Sequence, residues 1–200
     1  MRKIPALFVV TVAAAWAQNS DLAVLGGVSA IHGETNSIGA AQGAIGTVSP
    51  SFQVNYAWQI LQRKADLYIE LPLVIPVRLS GEAVAGPAFQ AAAGNSDPDI
   101  FFTPGMRAKI LPRSRLSFYG AADFGIASFG ATSFILPGPT LVSTPRRNSP
   151  AFGFGGGVDF HLTRLLSVRA DARDFITRKG LGGITGRSHG IFQAGIAFHF

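Results

Sequence analysis

Three polar residues, Asp159, His161 and Ser167, have the side-chain types of a hydrolytic site. In such a site a histidine removes the proton of a serine hydroxyl, and a carboxylate orients the imidazole. If Asp159 and His161 lie on one extended strand and Ser167 on the next, all three point to one face of a sheet. They would then lie at the turn end of a packed interior, without a pocket for a substrate. Two short polar rows that meet across a turn explain them equally well, so no catalytic residue is predicted.

Other polar combinations also give no chemical site. Ser188 and His189 are adjacent, and adjacent strand residues point to opposite faces. His32 and His199 lie far apart in the chain without a carboxylate cluster, and the chain contains no cysteine, so we predict no metal site. The glycine-rich run at 153–157 alternates with phenylalanine and lacks the following helix that a phosphate-binding loop requires. No cofactor is predicted.

The composition favours a membrane protein that crosses the bilayer with strands. The charged fraction is 14%, well below the roughly 25% of soluble domains. Mean hydropathy is +0.30, yet beyond the N-terminus no apolar run approaches the roughly 20 residues of a membrane helix. Apolar residues spread over short alternating segments are typical of a transmembrane barrel. The sequence pI near 10.3 does not indicate nucleic-acid binding, because the basic residues are scattered and several fall in strand interiors.

The N-terminus has the pattern of a secretory signal peptide. Arg2 and Lys3 precede an apolar run at 4–14, and Ala15-Trp16-Ala17 forms a small-x-small cleavage site. The apolar run is too short to span a membrane. We therefore predict a cleaved signal peptide at 1–17 and one exported domain at 18–200. Removal of Arg2 and Lys3 lowers the formal charge from +6 to +4.

Eight segments show the period-two alternation of β-strands. They cover about 22–31, 52–60, 66–77, 102–110, 116–126, 152–161, 166–173 and 192–200. The connections alternate between short ones, at 62–65, 112–114 and 163–165, and long ones, at 33–49, 80–98, 130–150 and 178–189. The first segment is weakly patterned. In the third, Pro72 and Pro76 each lack a ladder donor, which predicts a bulge there or a strand end near Leu71.

The last segment carries the most specific motif in the chain. Gln193 is followed by Gly195, and aromatic residues stand three and five positions after that glycine, at Phe198 and Phe200. This pattern resembles the C-terminal insertion signal of bacterial outer-membrane β-barrels. With the eight segments and alternating connections, nearly the whole mature chain resembles the small OmpA/OmpX-like barrels. A buried terminal strand of a soluble sheet is the alternative interpretation.

The resemblance implies an all-β fold, an eight-stranded antiparallel up-and-down transmembrane β-barrel in the outer membrane of a Gram-negative bacterium. It also implies a monomer in contact with lipid bilayer and lipopolysaccharide, inserted by the barrel assembly machinery that reads the last strand. The expected function is non-enzymatic, structural or surface-interacting through long extracellular loops. A narrow solute channel, a lipid A-modifying enzyme and a soluble lipocalin-like barrel are the alternatives. The order Ser188-His189 departs from the His-x-Ser spacing of lipid A deacylases.

The composition of the two rows predicts which face meets lipid. One row of each segment is almost free of charge, as lipid requires, whereas the other is rich in the small residues that fit inside an eight-stranded barrel. Charges in the lumen must pair. If Leu162 pairs with Leu166 across the turn, Asp159 lies opposite Arg169. The predicted lumen network, which would fix the register and close the lumen, comprises Glu70, Arg107, Lys109, Asp123, Asp159, Arg169, Asp171 and Arg173.

Aromatic residues near the short turns and the C-terminus are predicted to form a girdle at the periplasmic membrane interface, where aromatic side chains are enriched. The members of this girdle are Tyr56, Trp58, Phe118 and Phe160, together with Phe198 and Phe200.

Overall fold

The structure is a computed structural model, and it describes residues 19–31, 36–38, 41–43, 47–77, 83–86, 89–95, 98–136, 140–177 and 187–200. The predicted signal peptide at 1–17 lies outside the described residues and stays a prediction. Within the described ranges, no helix has the length and apolar character needed to cross a membrane.

Eight long strands form one closed antiparallel barrel. Their bounds are β1 Ser20–Ile31, β2 Thr47–Leu61, β3 Ala65–Pro76, β4 in two segments, Ile100–Phe102 and Gly105–Ile110, β5 Leu116–Phe129, β6 Arg147–His161, β7 Leu166–Thr177 and β8 Arg187–His199. Each strand pairs with its neighbours in sequence, and β8 pairs with β1 to close the ring. At the seam, Ser20 and Phe200 exchange two backbone hydrogen bonds of 2.8 and 2.9 Å. Closure leaves no barrel strand with an unpaired edge.

The connections differ at the two ends of the barrel. Short turns at 62–64, 111–115 and 162–165 share one end with both ends of the described chain. The long connections at the other end contain short strands of their own. Four of these form a sheet in the order Thr140–Thr144, Thr132–Leu136, Phe89–Asn95, Ala83–Gly86. The alternation of loop lengths is therefore confirmed, but the sequence did not predict strands within the loops.

The two expectations about the prolines of β3 are both wrong. The strand continues through Pro72, which pairs with Asn55, and ends at Pro76. The irregularities lie elsewhere: the register between β2 and β3 shifts between Gln59 and Leu61, and β4 is interrupted at Thr103 and Pro104, next to Pro72. There the Thr103 N–H donates to the Pro72 carbonyl at 3.4 Å, and the register with β3 is unchanged across the break. Since Pro72 has no N–H to donate, the neighbouring strand can leave the ladder at that point without losing a bond.

The apolar rows face outward around the whole barrel. Large side chains from every strand are exposed, and Phe124 and Phe52 reach 65% and 58% exposure. The other prominent members are Val24, Val28, Val54, Ile69, Leu71, Leu73, Phe102, Met106, Ile126, Phe152, Phe154, Val168, Ile176, Phe192 and Ile196. A continuous apolar belt of this extent is incompatible with water and matches hydrocarbon. The lumen-facing orientation of the charged rows is therefore confirmed, and a lipocalin-like barrel with an apolar interior is excluded.

Several glycines of the inner rows make room for larger side chains on the neighbouring strands, and Gly157 lies directly opposite Tyr119 of β5. A Cβ at Gly157 would lie 2.6 Å from Tyr119 Cζ and closer still to the carbonyl oxygen of Ala170 on the paired strand. Gly120 lies on the outward row instead, where the nearest atom to a Cβ is 3.9 Å away. The interior is thus packed so closely that one additional methyl group at Gly157 would collide with its neighbours.

We expect Gly157→Ala to destabilise the barrel by about 1–3 kcal/mol, because the new methyl group displaces the Tyr119 ring or the backbone of β7. The matched substitution Gly120→Ala places the same group in lipid and should change stability by less than about 0.5 kcal/mol. Urea unfolding in detergent micelles measures the free energy of unfolding of both variants. The folded fraction is read from the heat-modifiable gel band, which is the band of folded barrel that shifts when the sample is boiled. Equal effects of the two substitutions would contradict this account of the packing.

Candidate functional site

The first layer of charges crosses the lumen near the short turns. Arg169 on β7 binds Asp159 on β6 with two hydrogen bonds of 2.6 and 3.0 Å, in the register predicted from the turn at Leu162. Its Nη2 also reaches Asp21 on β1 at 3.1 Å. Arg107 on β4 pairs with the same Asp21 carboxylate, and Lys109 Nζ lies 2.6 Å from Asp159. Four strands that are not all neighbours are therefore linked through the interior.

A second layer lies further from the turns and centres on Arg173. Its guanidinium group contacts Glu70 on β3 at 2.6 Å, Asp123 on β5 at 2.9 Å and Asp171 on its own strand at 3.0 Å. The Glu70 carboxylate also accepts a hydrogen bond of 3.0 Å from Asn55. All these side chains are buried. One cation thus holds three carboxylates, which would repel one another without it.

Tyr119 joins the two layers, and Tyr68 packs against the first. The Tyr119 hydroxyl donates to Asp171 at 2.6 Å, while the centroid of its ring lies 5.3 Å from the guanidinium carbons of both Arg107 and Arg169. The Tyr68 ring centroid lies 4.7 Å from the Arg107 guanidinium carbon. These distances are those of cation–π contacts, so the rings satisfy faces of the guanidinium groups that no carboxylate reaches.

The eight residues proposed for the lumen network all lie inside the barrel and are buried. Asp21, which contacts two arginines, was not predicted from the sequence. It stands at the start of the weakly patterned first strand, two residues before the inward-facing Ala23. Extending the inner row of β1 by two residues would have found it.

The outer end of the lumen is apolar, contrary to the small polar interior expected along the whole barrel. A buried cluster fills it, made of Val74, Phe101, Ala127, Phe129, Ala151, Phe175 and Ile191. The Phe101 ring centroid lies 5.1 Å from that of Phe175 and 6.0 Å from that of Phe129. The His189 ring stacks on Phe129 at 5.7 Å. The sequence does contain a signal for this cluster. The inner row of β4 continues from Thr103 to Phe101, and that of β7 continues from Arg173 to Phe175, so alternation places both phenylalanines in the lumen.

A polar layer separates the ion pairs from this aromatic cluster. Gln193 donates to Ser51 Oγ at 3.0 Å. Both amide atoms of Gln53 are buried and have no hydrogen-bond partner among the described residues. Unpaired buried groups of this kind cost about 1–3 kcal/mol each, so they favour bound water at this level.

The residues of the C-terminal motif have distinct surroundings. Gln193 points into the lumen, whereas Phe198 and Phe200 point outward and are about half exposed. A Cβ at Gly195 would lie 2.8 Å from Leu25 Cα on β1, so the glycine allows β8 and β1 to approach at the seam. Gln193 and Gly195 therefore contribute to packing inside the barrel and at the seam. Recognition by the assembly machinery stays a prediction.

The other four residues proposed for the aromatic girdle, besides Phe198 and Phe200, lie on the outward face within a few residues of the short turns. Tyr56, Phe118 and Phe160 are exposed, and Trp58 is half-buried. The Tyr56 hydroxyl lies 2.9 Å from Ser20 Oγ, at the seam of the barrel. Their position fits the lower edge of the apolar belt, and their contact with a membrane interface stays a prediction.

The hydrolytic trio considered from the sequence is not assembled. Asp159 is occupied by Arg169 and Lys109. Ser167 lies opposite His161 in the register, yet its buried hydroxyl contacts His199 Nε2 instead, at 2.8 Å. The carboxylate nearest His199 is Asp21, 4.0 Å from Nδ1, which is beyond hydrogen-bonding distance and is already held by two arginines.

The remaining polar combinations also stay separate. Ser188 donates to Asp174 at 2.6 Å on the outer row, while His189 faces inward, 3.3 Å from Thr177. His32 lies outside the described residues. Within the described part of the chain, no group of three or more histidine, aspartate or glutamate residues could hold a metal ion. A pocket of about 260 Å³ opens at the turn end between Gln59, Arg164 and His199, above the first layer of ion pairs.

We expect Arg173→Met to destabilise the barrel by about 3–5 kcal/mol, because it leaves Asp123 and Asp171 buried without their cation and Glu70 with only Arg107 Nε, 3.9 Å away. Arg147→Met is the matched control, since Arg147 is exposed at the outer end of β6. Its effect should stay within about 0.5 kcal/mol. Urea unfolding of the two variants in the same micelles compares them. A small effect at Arg173 would show that the carboxylates find other partners.

Comparison with known proteins rests on structure, since no protein-family model and no curated protein sequence matches the chain significantly. Neisserial surface protein A aligns over 90% of this chain and 97% of its own, with a TM-score of 0.55 at 12% identity. Ail, the attachment invasion locus protein of Yersinia pestis, aligns over 91% of this chain and 99% of its own, with a TM-score of 0.50 at 12% identity. A second structure of Ail, in complex with the heparin analogue sucrose octasulfate, gives the same values. This chain has the fold of the small eight-stranded outer-membrane β-barrels.

Proposed function

We propose that the protein is a non-enzymatic integral barrel of the outer membrane of a Gram-negative bacterium, with a structural or surface-interaction role through its long outer loops. The observation that carries this proposal is the filled lumen. Two layers of ion pairs and an aromatic cluster occupy it from the turn end to the loop end. A filled barrel offers no wide path to solutes, so the outer loops are the part best placed to contact other molecules.

The proposed environment follows from the surface of the barrel. The apolar belt supports contact with the bilayer, and the loops above it would contact lipopolysaccharide. The signal peptide predicted at 1–17 would direct export, and the motif ending at Phe200 would direct insertion by the barrel assembly machinery. Every barrel strand has two neighbours, so no free edge recruits a second copy, which supports a monomer.

The loops supply the reason to prefer surface interaction. Segments of the loops before β4 and before β6 pair with one another through Phe89–Asn95 and Thr132–Leu136. The hairpin Thr132–Thr144 therefore belongs to a built sheet above the barrel. Ail, whose name refers to attachment and invasion, has a similar fold. That likeness gives adhesion a place among the proposed roles, and the loops of this chain have to be tested for it directly.

We expect expression of the protein in a bacterium that lacks it to increase adhesion to other cells or to a coated surface. Replacing Thr132–Thr144 with a two-residue turn should abolish the gain, because the outer sheet loses two of its strands. The heat-modifiable band serves as the control for an intact barrel. Full adhesion by the shortened variant, with that band present, would argue against a role of this hairpin.

We expect no stepwise large-pore conductance when the protein is incorporated into planar bilayers, because ion pairs and aromatic rings fill the lumen. Conductance that responds to substitution of Arg169 or Asp171 would favour the channel alternative.

We also expect lipid A from cells that express the protein to keep its mass. A mass change that disappears in His199→Ala or His161→Ala, with the folded band retained, would favour the enzyme alternative.

A further inference from the structure

Basic residues are concentrated in the three short turns of the barrel. The turns carry Arg63, Lys64, Arg113, Arg115 and Arg164, which we call the basic rim. All five side chains are exposed, and none of them forms an ion pair with another described residue. The acidic residue next to the turns, Asp66, is buried and accepts a hydrogen bond of 3.3 Å from the Arg63 backbone N–H. Within the described part of the chain, the rim therefore presents positive charge that no carboxylate pairs with.

Each basic turn also exposes leucine. Leu61 is 44% exposed, Leu111 58%, Leu162 55% and Leu165 65%, and each stands within two residues of a base of the rim. Leucines exposed to water at every turn would be unfavourable. The same pairing of leucine and base is favourable at a membrane interface, where the leucine enters the acyl region and the long basic side chain reaches the headgroups.

The backbone of Leu111 supports this placement. Its φ of 54° lies in the left-handed region, which a leucine rarely adopts. The turn is held by Ser114, whose N–H and hydroxyl both donate to the Leu111 carbonyl at 3.1 and 2.8 Å. The outcome is an exposed leucine in a conformation better suited to glycine. Contacts outside the chain, with lipid, would offset that strain.

The height of the rim along the barrel fits phosphate groups. Tyr56, Trp58, Phe118 and Phe160 lie on the strands just above the turns, and aromatic residues in such positions mark the headgroup level. The bases of the rim stand directly below them. A cation at that level meets the phosphodiesters of the leaflet that faces the periplasm.

We infer that the basic rim binds anionic phospholipids of the periplasmic leaflet. The inference rests on the proposed outer-membrane location and adds a lipid preference to it. An anionic cell-wall polymer would also attract five positive charges. It would leave the four leucines in water, however, so the combination of leucine and base favours lipid.

The test compares lipid contacts at the rim. The chain has no cysteine, so Gln62→Cys, at an exposed turn position, takes a single fluorophore. The labelled protein is inserted into phosphatidylcholine vesicles with 20 mol% phosphatidylglycerol, where one of the two lipids carries a nitroxide near its headgroup. At low salt we expect the nitroxide on phosphatidylglycerol to quench the fluorophore about threefold more effectively than the nitroxide on phosphatidylcholine. In 0.5 M salt the difference between the two should fall towards zero, because salt screens the attraction.

Two sets of substitutions locate the effect. Glutamine at all five positions of the rim should remove the preference, and lysine at the four arginine positions should retain it. Arg146→Gln with Arg147→Gln removes exposed bases from the loop end and should leave the preference unchanged. If the five-fold variant does not fold, Arg113→Gln with Arg115→Gln should lower the preference about halfway.

Equal quenching by both lipids in the wild-type protein would overturn the inference, as would a preference that persists without the rim bases. The wild-type protein could instead co-sediment with purified peptidoglycan. If the five-fold glutamine variant lost that co-sedimentation while its lipid quenching stayed unchanged, the rim would be assigned to the cell wall and the inference would be overturned. Insertion into pure phosphatidylcholine, read from the heat-modifiable band, tests the membrane location separately. Insertion without a lipid preference would overturn the rim inference alone, whereas failure to insert would overturn both.

Discussion

The structure depends on the pairing of charges inside a lumen that has no room for bulk water. An ion buried without a partner costs more than the folded state of a small domain can tolerate, so each lumen carboxylate must meet a cation. Asp159 does so across one pair of neighbouring strands, through Arg169. Asp21 does so across the barrel, through Arg107 and Arg169. A slip of one residue in any strand would move such a group into lipid, which makes the pairing and the strand register one and the same constraint.

The same constraint explains the inverted distribution of residue types. In a water-soluble barrel the apolar rows fill the core, and charges are solvated outside. Here the outer rows need only be apolar, and Phe52 and Phe124 lie on a surface without specific partners. Specificity is found inside, where Gly157 leaves room for the Tyr119 ring and the Tyr119 hydroxyl reaches Asp171. The contacts in the lumen thus determine the strand register, whereas the apolar outer surface determines that the barrel lies in lipid.

The two ends of the lumen are closed by different physical means. Near the turns the groups are ionic, and the lumen is open between Gln59, Arg164 and His199. Near the loops Phe101 and Phe175 exclude water by packing. Ion pairs next to the turns benefit from the short connections that hold neighbouring strands in register. The long loops impose no such restraint, and apolar packing, which is not directional, does not need one.

Local alternation in the sequence determined a great deal about this protein. It gave the eight strands, the face of each that meets lipid and, through the turn at Leu162, the pairing of Asp159 with Arg169. These features depend on neighbours along the chain or across one short turn. The partners of Asp21, the three carboxylates around Arg173 and the cluster of Phe101 with Phe129 and Phe175 were decided only by the tertiary structure. Contacts across a lumen depend on how far the strands are staggered when the barrel closes, and that stagger is a property of the whole ring.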